Sequence, residues 1–224
     1  MGYNTYTMHE GYNIYTPTFE SVTATNKKLS IQDLKLINSE GWGTETIWVM
    51  NENGTAVTGE TYNWQNTDMS GLDEDGWIDD TGALADVEIT EGDGFYLLCD
   101  GTDGIQVQVA GSVKFGKFTH TMHEGYNLTG NFCPKTINIQ GIKLTNTEGW
   151  GTETIWVMNE NGTAVTGETY NWQNTDMSGL DKDGWIDDTG ALADVGYKSG
   201  EGVYLLCDGT DGVVIEIDPV LIKE

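Results

Sequence analysis

The sequence predicts an all-β chain built as two copies of one module, and three observations carry that prediction. The tract Gly41 to Val87 recurs as Gly149 to Val195 with a single change, Glu74 becoming Lys182. No window of a dozen residues shows a glycine-free apolar period of the helical kind. Short apolar or alternating runs instead succeed one another with turn residues roughly every 8–12 positions, the pattern of small sandwiches and barrels. The expected architecture is two tandem β-sandwich domains, jelly-roll or Ig-like, from an internal duplication. Their expected limits are an N-terminal arm at 1–6, repeat one at 7–114, a linker at 115–120 and repeat two at 121–224.

The elements follow in chain order. The opening residues are polar and tyrosine-rich, and the heptapeptide TMHEGYN occurs at Thr7–Asn13 and again at Thr121–Asn127. Leu29, Ile31, Leu34 and Leu36, with their counterparts Ile137, Ile139, Ile142 and Leu144, are spaced as strands with one apolar face. Thr46–Met50 is a continuous apolar run, followed by Asn53-Gly54, a pair suited to the positive φ angles of a type I′ hairpin. Thr61–Trp64 alternates, whereas Phe95–Cys99 reads as a strand buried on both faces. Ile105, Val107 and Val109, repeated as Val213, Ile215 and Ile217, complete each copy. Only Thr81–Val87 suggests a helical turn.

Composition narrows the function. The net charge is −26, all ten basic residues are lysine, and arginine is absent. Phosphate backbones require basic surface, so nucleic-acid binding is excluded as an expectation. No apolar run reaches the length of a membrane-spanning helix, and the opening residues do not read as a signal peptide, which leaves open whether a leader is removed or never made. The three cysteines fit no disulfide framework; Cys99 and Cys207 end equivalent apolar runs, as buried thiols do.

Two candidate sites emerge. The first is the acidic loop after Asp68, in which Asp68, Asp73, Asp75 and Asp79, matched by Asp176, Asp181, Asp183 and Asp187, are candidate metal ligands. Crowded carboxylates either remain solvated or share a cation, and Asp73-x-Asp75-Gly76 resembles part of a calcium loop. Calcium is therefore the candidate cofactor. The EF-hand register fails, because its first and twelfth positions would be Gly71 and Gly82. The second candidate is an aromatic platform for sugar rings. Trp42, Trp77, Trp150 and Trp185 lie beside glycine in polar surroundings, whereas Trp48 and Trp64 read as core. No serine, cysteine or lysine sits in a nucleophile motif, so no enzyme is expected.

Gly125–Asn131 (GYNLTGN), the alternating strands after it and Glu201–Gly209 (EGVYLLCDG) together resemble β-sandwich modules of bacterial surface proteins and of tailed-phage virion accessory proteins. The resemblance implies a structural or interaction protein displayed on the exterior of a particle or cell, as a capsid decoration or adhesion protein. Its partners would be other structural proteins or copies of itself. The alternative expectation is a calcium-assisted carbohydrate-binding protein.

Overall fold

The alternation of buried and exposed residues along each strand builds the protein, seen here in a computed structural model. It describes all residues except 1, 23, 40–41, 50–59, 68–72, 101–102, 115, 148–149, 158–167, 176–180, 210 and 219–224. The hairpin turns expected at Asn53-Gly54 and Asn161-Gly162 lie outside the described residues. The described chain is all-β and forms small antiparallel sheets, so the predicted class holds.

The first half contains β1 (Gly2–Thr7), β2 (Gly11–Tyr15), β3 (Leu29–Ser30), β4 (Leu34–Ile37), β5 (Trp42–Val49), β6 (Thr61–Gln65), β7 (Gly76–Ile78), β8 (Glu88–Ile89), β9 (Phe95–Cys99) and β10 (Gln106–Gly111). The second half repeats the series. It contains β11 (Phe118–Thr121), β12 (Gly125–Gly130), β13 (Ile137–Asn138), β14 (Ile142–Thr145), β15 (Trp150–Trp156), β16 (Thr169–Gln173), β17 (Gly184–Ile186), β18 (Gly196–Tyr197), β19 (Gly202–Cys207) and β20 (Val214–Ile217). Each half has a five-stranded sheet, ordered β2-β9-β5-β6-β7 or β12-β19-β15-β16-β17. Each also has a three-stranded sheet, β1-β10-β4 or β11-β20-β14, and a two-stranded one, β3-β8 or β13-β18.

All three sheets of a half contribute to one core. In the first half Ile47, Trp64 and Leu97 come from the five-stranded sheet, Leu34 and Val107 from the three-stranded sheet, and Leu29 and Ile89 from the two-stranded sheet. Several small sheets thus surround each core where two broad layers were expected. A short 3-10 turn, Ile31–Asp33 or Ile139–Gly141, connects two of them, and Ser30 closes a capping box with Asp33. The helical turn expected at Thr81–Val87 is instead a hydrogen-bonded turn after Asp79, and Leu84 bridges to Ile78.

Strands occupy the segments expected as arm and linker. The expected arm at 1–6 is strand β1, paired with β10 from Gly2↔Gly111 to Thr7↔Gln106. The end of the expected linker, Phe118 to His120, is its counterpart β11, paired with β20. Both strands are mostly polar and lie at sheet edges, where a single partner suffices; Phe118 and half-buried Tyr6 supply their inward contacts. Apolar alternation was therefore too weak to reveal them.

The halves join edge to edge with reciprocal contacts. Gly94 N–H donates to Leu128 C=O at 2.9 Å, and a Cβ on Gly94 would stand 2.8 Å from the Leu128 carbonyl carbon. Gly202 takes the place of Gly94 in the second copy, and Ile14 that of Leu128 in the first. A Cβ on Gly202 would stand 2.7 Å from the Ile14 carbonyl carbon. One pair of contacts thus occurs in both directions, the signature of a two-fold interface. Thr16 N–H adds a 3.0 Å bond to Gly200 C=O, and Tyr15 bridges to Glu201.

Candidate functional site

Register places the outward side chains of the five-stranded sheets in rows. Tyr96 of β9 lies between Ile14 of β2 and Trp48 of β5, and Tyr12 lies opposite Leu98 in the next row of that face. The inward residues of the same strands, Phe95, Leu97, Cys99 and Ile47, are buried. Phe95–Cys99 is therefore not buried on both faces: Tyr96 and Leu98 are partly exposed. An outward sheet face is ordinarily polar, and this one is aromatic.

The rings form a continuous strip. Trp48 stands 5.2 Å from Tyr12, Tyr12 6.3 Å from Tyr96, and Tyr96 6.4 Å from Tyr204 across the junction. Tyr204 then lies 5.0 Å from Tyr126 and stacks on Trp156 at 6.0 Å with 9° between planes, while Tyr126 and Trp156 are 5.4 Å apart. Tyr12, Trp48 and Tyr96 are the repeat equivalents of Tyr126, Trp156 and Tyr204. The strip therefore shares the two-fold character of the junction. Hydrogen-bonding groups border it: Thr46 Oγ1 lies 2.9 Å from Asn63 Oδ1, and Thr154 Oγ1 lies 2.8 Å from Asn171 Oδ1. Burial, with the neighbouring tyrosine second, pushes the Tyr96 phenol up to about 12 and raises that of Tyr204. Both phenols are neutral at physiological pH, so the strip is an uncharged band on a strongly acidic protein.

The structure places four of the tryptophans differently from expectation, while Trp64 and Trp172 are core as expected. Trp77 and Trp185 are fully buried and form no platform. Their indole N–H groups donate to Leu34 C=O at 2.7 Å and Ile142 C=O at 2.8 Å, and their rings meet Trp64 and Trp172 edge to face at 5.4 Å. A large ring with a satisfied N–H is well suited to a small core. Trp150 is 61% exposed, as expected of a surface ring, and makes no ring contact with the strip among the described residues. The Trp42 side chain lies outside the described residues. Trp48 and Trp156, expected in the core, belong to the strip.

The acidic loops carry local structure. Asp75 Oδ1 accepts from Thr67 N–H at 2.7 Å and from its hydroxyl at 3.0 Å, and Asp183 does the same with Thr175. Asp79 Oδ1 accepts from the Thr81 hydroxyl at 2.7 Å and from the Thr81 and Ala83 N–H groups; Asp187 repeats this with Thr189 and Ala191. These bonds, the threonine hydroxyl foremost, hold both carboxyls below the usual aspartate range. Asp73 and Asp181 are exposed, and Asp68 and Asp176 lie outside the described residues. Among the described residues no three His, Cys, Asp or Glu side chains are grouped to hold a metal ion.

Sequence reasoning missed Tyr12, Tyr96, Tyr126 and Tyr204. One signal was available: tyrosine at the alternate position of an apolar run, in both copies, marks a ring with a polar edge that needs water or a partner. No family model, curated protein or solved structure matches the chain.

Proposed function

We propose that the protein is a non-enzymatic interaction protein whose two repeats present one continuous aromatic strip to a partner. The observation that carries this reading is the strip itself, six rings crossing the repeat junction. Contiguous exposed apolar surface marks interaction sites, and tyrosine and tryptophan are enriched where binding energy concentrates. The setting that fits best is a structural role on the exterior of a particle or cell, as a capsid decoration or adhesion protein, with tandem β-sandwich modules displayed side by side. A high negative charge keeps neighbouring copies apart in solution.

The hydroxyl and amide groups beside the rings favour a second reading, carbohydrate binding. Sugar rings present C–H faces to aromatic side chains and hydroxyls to groups such as those of Thr46 and Asn63. In that reading the platform is Trp48, Tyr96, Tyr204 and Trp156. Its calcium component rests on Asp73, Asp75 and Asp79 with their counterparts, and a rise in melting temperature on adding millimolar calcium tests it. Cosedimentation with assembled particles, run beside a panel of soluble glycans in calcium and in chelator, separates the two readings. Particle binding that no glycan competes supports assembly, whereas saturable glycan binding supports the second reading. Absence of both removes the proposal.

A further inference from the structure

The two copies differ at one position between 41 and 87, and that difference falls on the wall of a cavity. A cleft of about 580 Å³ in the second half is lined by Lys117, Lys143 and Lys182 and by Asp194, Glu216 and Asp218. Three of the ten basic residues of the chain thus converge on one cleft. The carboxylates already have partners, two of them on the cleft wall itself. Glu216 pairs with Lys117 at 2.9 Å, Asp218 adds its field to the same ammonium, and Asp194 accepts from Asn138 at 2.7 Å. The amide of Gln140 is spent on Trp185 and Ala193. Lys143 and Lys182 remain as the cations facing the space.

Lys143 is held in place. Its ammonium lies over the Trp172 ring, 5.6 Å from the ring centroid, and donates to Asp183 C=O at 3.4 Å. Burial and then the neighbouring Lys182 lower its pKa, against the pull of Asp183. The first copy has Lys35 and Glu74 at these positions, opposite charges where the second has like ones. Tyr3, Gln108 and Ala110 stand there in place of Lys117, Glu216 and Asp218. The one change in an otherwise unaltered tract therefore sets a second cation beside a half-buried lysine. That arrangement is unfavourable by itself and becomes favourable with an anion between the two.

We propose that this cleft binds a compact oxyanion, a carboxylate or phosphate group, between Lys143 Nζ and Lys182 Nζ. Lysine serves here as a mobile point charge, suited to a small anion. The site exists in the second repeat alone, so the near-identical copies are functionally unequal.

The test is calorimetric titration of the full chain with inorganic phosphate and, separately, succinate at low ionic strength. The key variant is Lys182→Glu, which restores the residue that the first copy carries at the same place and so preserves the fold. Wild type is expected to bind one equivalent of at least one probe, and Lys182→Glu to weaken that binding at least tenfold. Lys143→Met, which removes the charge and keeps most of the side-chain length, is expected to do the same. Binding of phosphate alone assigns a phosphate site, and binding of succinate a carboxylate site. Equal affinity in Lys182→Glu, or no binding of either probe by wild type at millimolar concentration, overturns the proposal.

Discussion

Tyr96 and Tyr204 occupy the same position in the two repeats and meet each other across the junction, with ring centroids 6.4 Å apart. A residue that contacts its own repeat equivalent lies close to the two-fold relation between the copies. The two outward sheet faces therefore merge into one surface, an aromatic strip that neither copy holds alone.

The tryptophans should separate sharply in their contribution to stability. Trp77→Ala or Trp185→Ala removes a fully buried ring together with its hydrogen bond, and should cost about 3–5 kcal/mol. Trp48→Ala or Trp156→Ala removes a partly exposed ring and should cost less than half of that. Denaturant midpoints measured for the four variants check the order; equal losses would place Trp48 and Trp156 in the core after all.

The junction depends on two glycines. Gly94→Ala and Gly202→Ala each drive a methyl group against the backbone of the opposite repeat. Each should destabilise by roughly 1–3 kcal/mol, the usual range for overpacking. Hydrogen exchange should rise first at the Gly94 and Thr16 amides, which donate across the junction, while each repeat core stays protected. A uniform rise over both cores would deny that the junction opens separately.

Asp79 and Asp187 give a pH-dependent contribution of known sign. Their folded carboxyls titrate below the ordinary aspartate value of about 3.9, so the stabilisation is complete above that value. It is lost as pH falls through the depressed folded pKa. Asp79→Ala and Asp187→Ala should lower the melting temperature by a constant amount between about pH 5 and pH 7, roughly one unit or more above that value. The difference from wild type should shrink as acid protonates the carboxyl. A pH-independent difference would mean that packing, not the charged cap, is what the substitution removes.

Burial, with Glu45 or Glu153 next, pushes the Cys99 and Cys207 thiols up to about 12. Both should resist iodoacetamide in the native protein at mildly alkaline pH and react on unfolding, as mass spectrometry would read. Rapid native alkylation of either would contradict its burial.

Much of the fold was legible because the strands announce themselves locally. Leu34-Lys35-Leu36 and Gln106 to Val109 alternate, and the repeat of Gly41–Val87 at Gly149–Val195 doubles every signal. The site was less legible for a physical reason. A strand such as Phe95–Cys99 has the same apolar run whether its second face is buried or forms an exposed aromatic band, and only register with Trp48 and Tyr12 decides between them. Trp77 misled in the opposite sense. Its glycine and aspartate neighbours read as loop, yet Gly76 is small because Gln32 and Leu84 pack against it, and that packing seals the ring inside. The polar strand β1 was hidden because an edge strand needs little apolar surface.

The most direct measurement is the affinity of the Trp48→Ala/Trp156→Ala double variant for whichever particle or glycan binds the wild type, with Trp150→Ala as the surface control. The strip predicts at least a tenfold loss in a double variant that melts lower but is still folded at the working temperature, and near-native binding by Trp150→Ala. A double variant that folds and binds as tightly as wild type would contradict the account, and the partner would then have to be sought on another face.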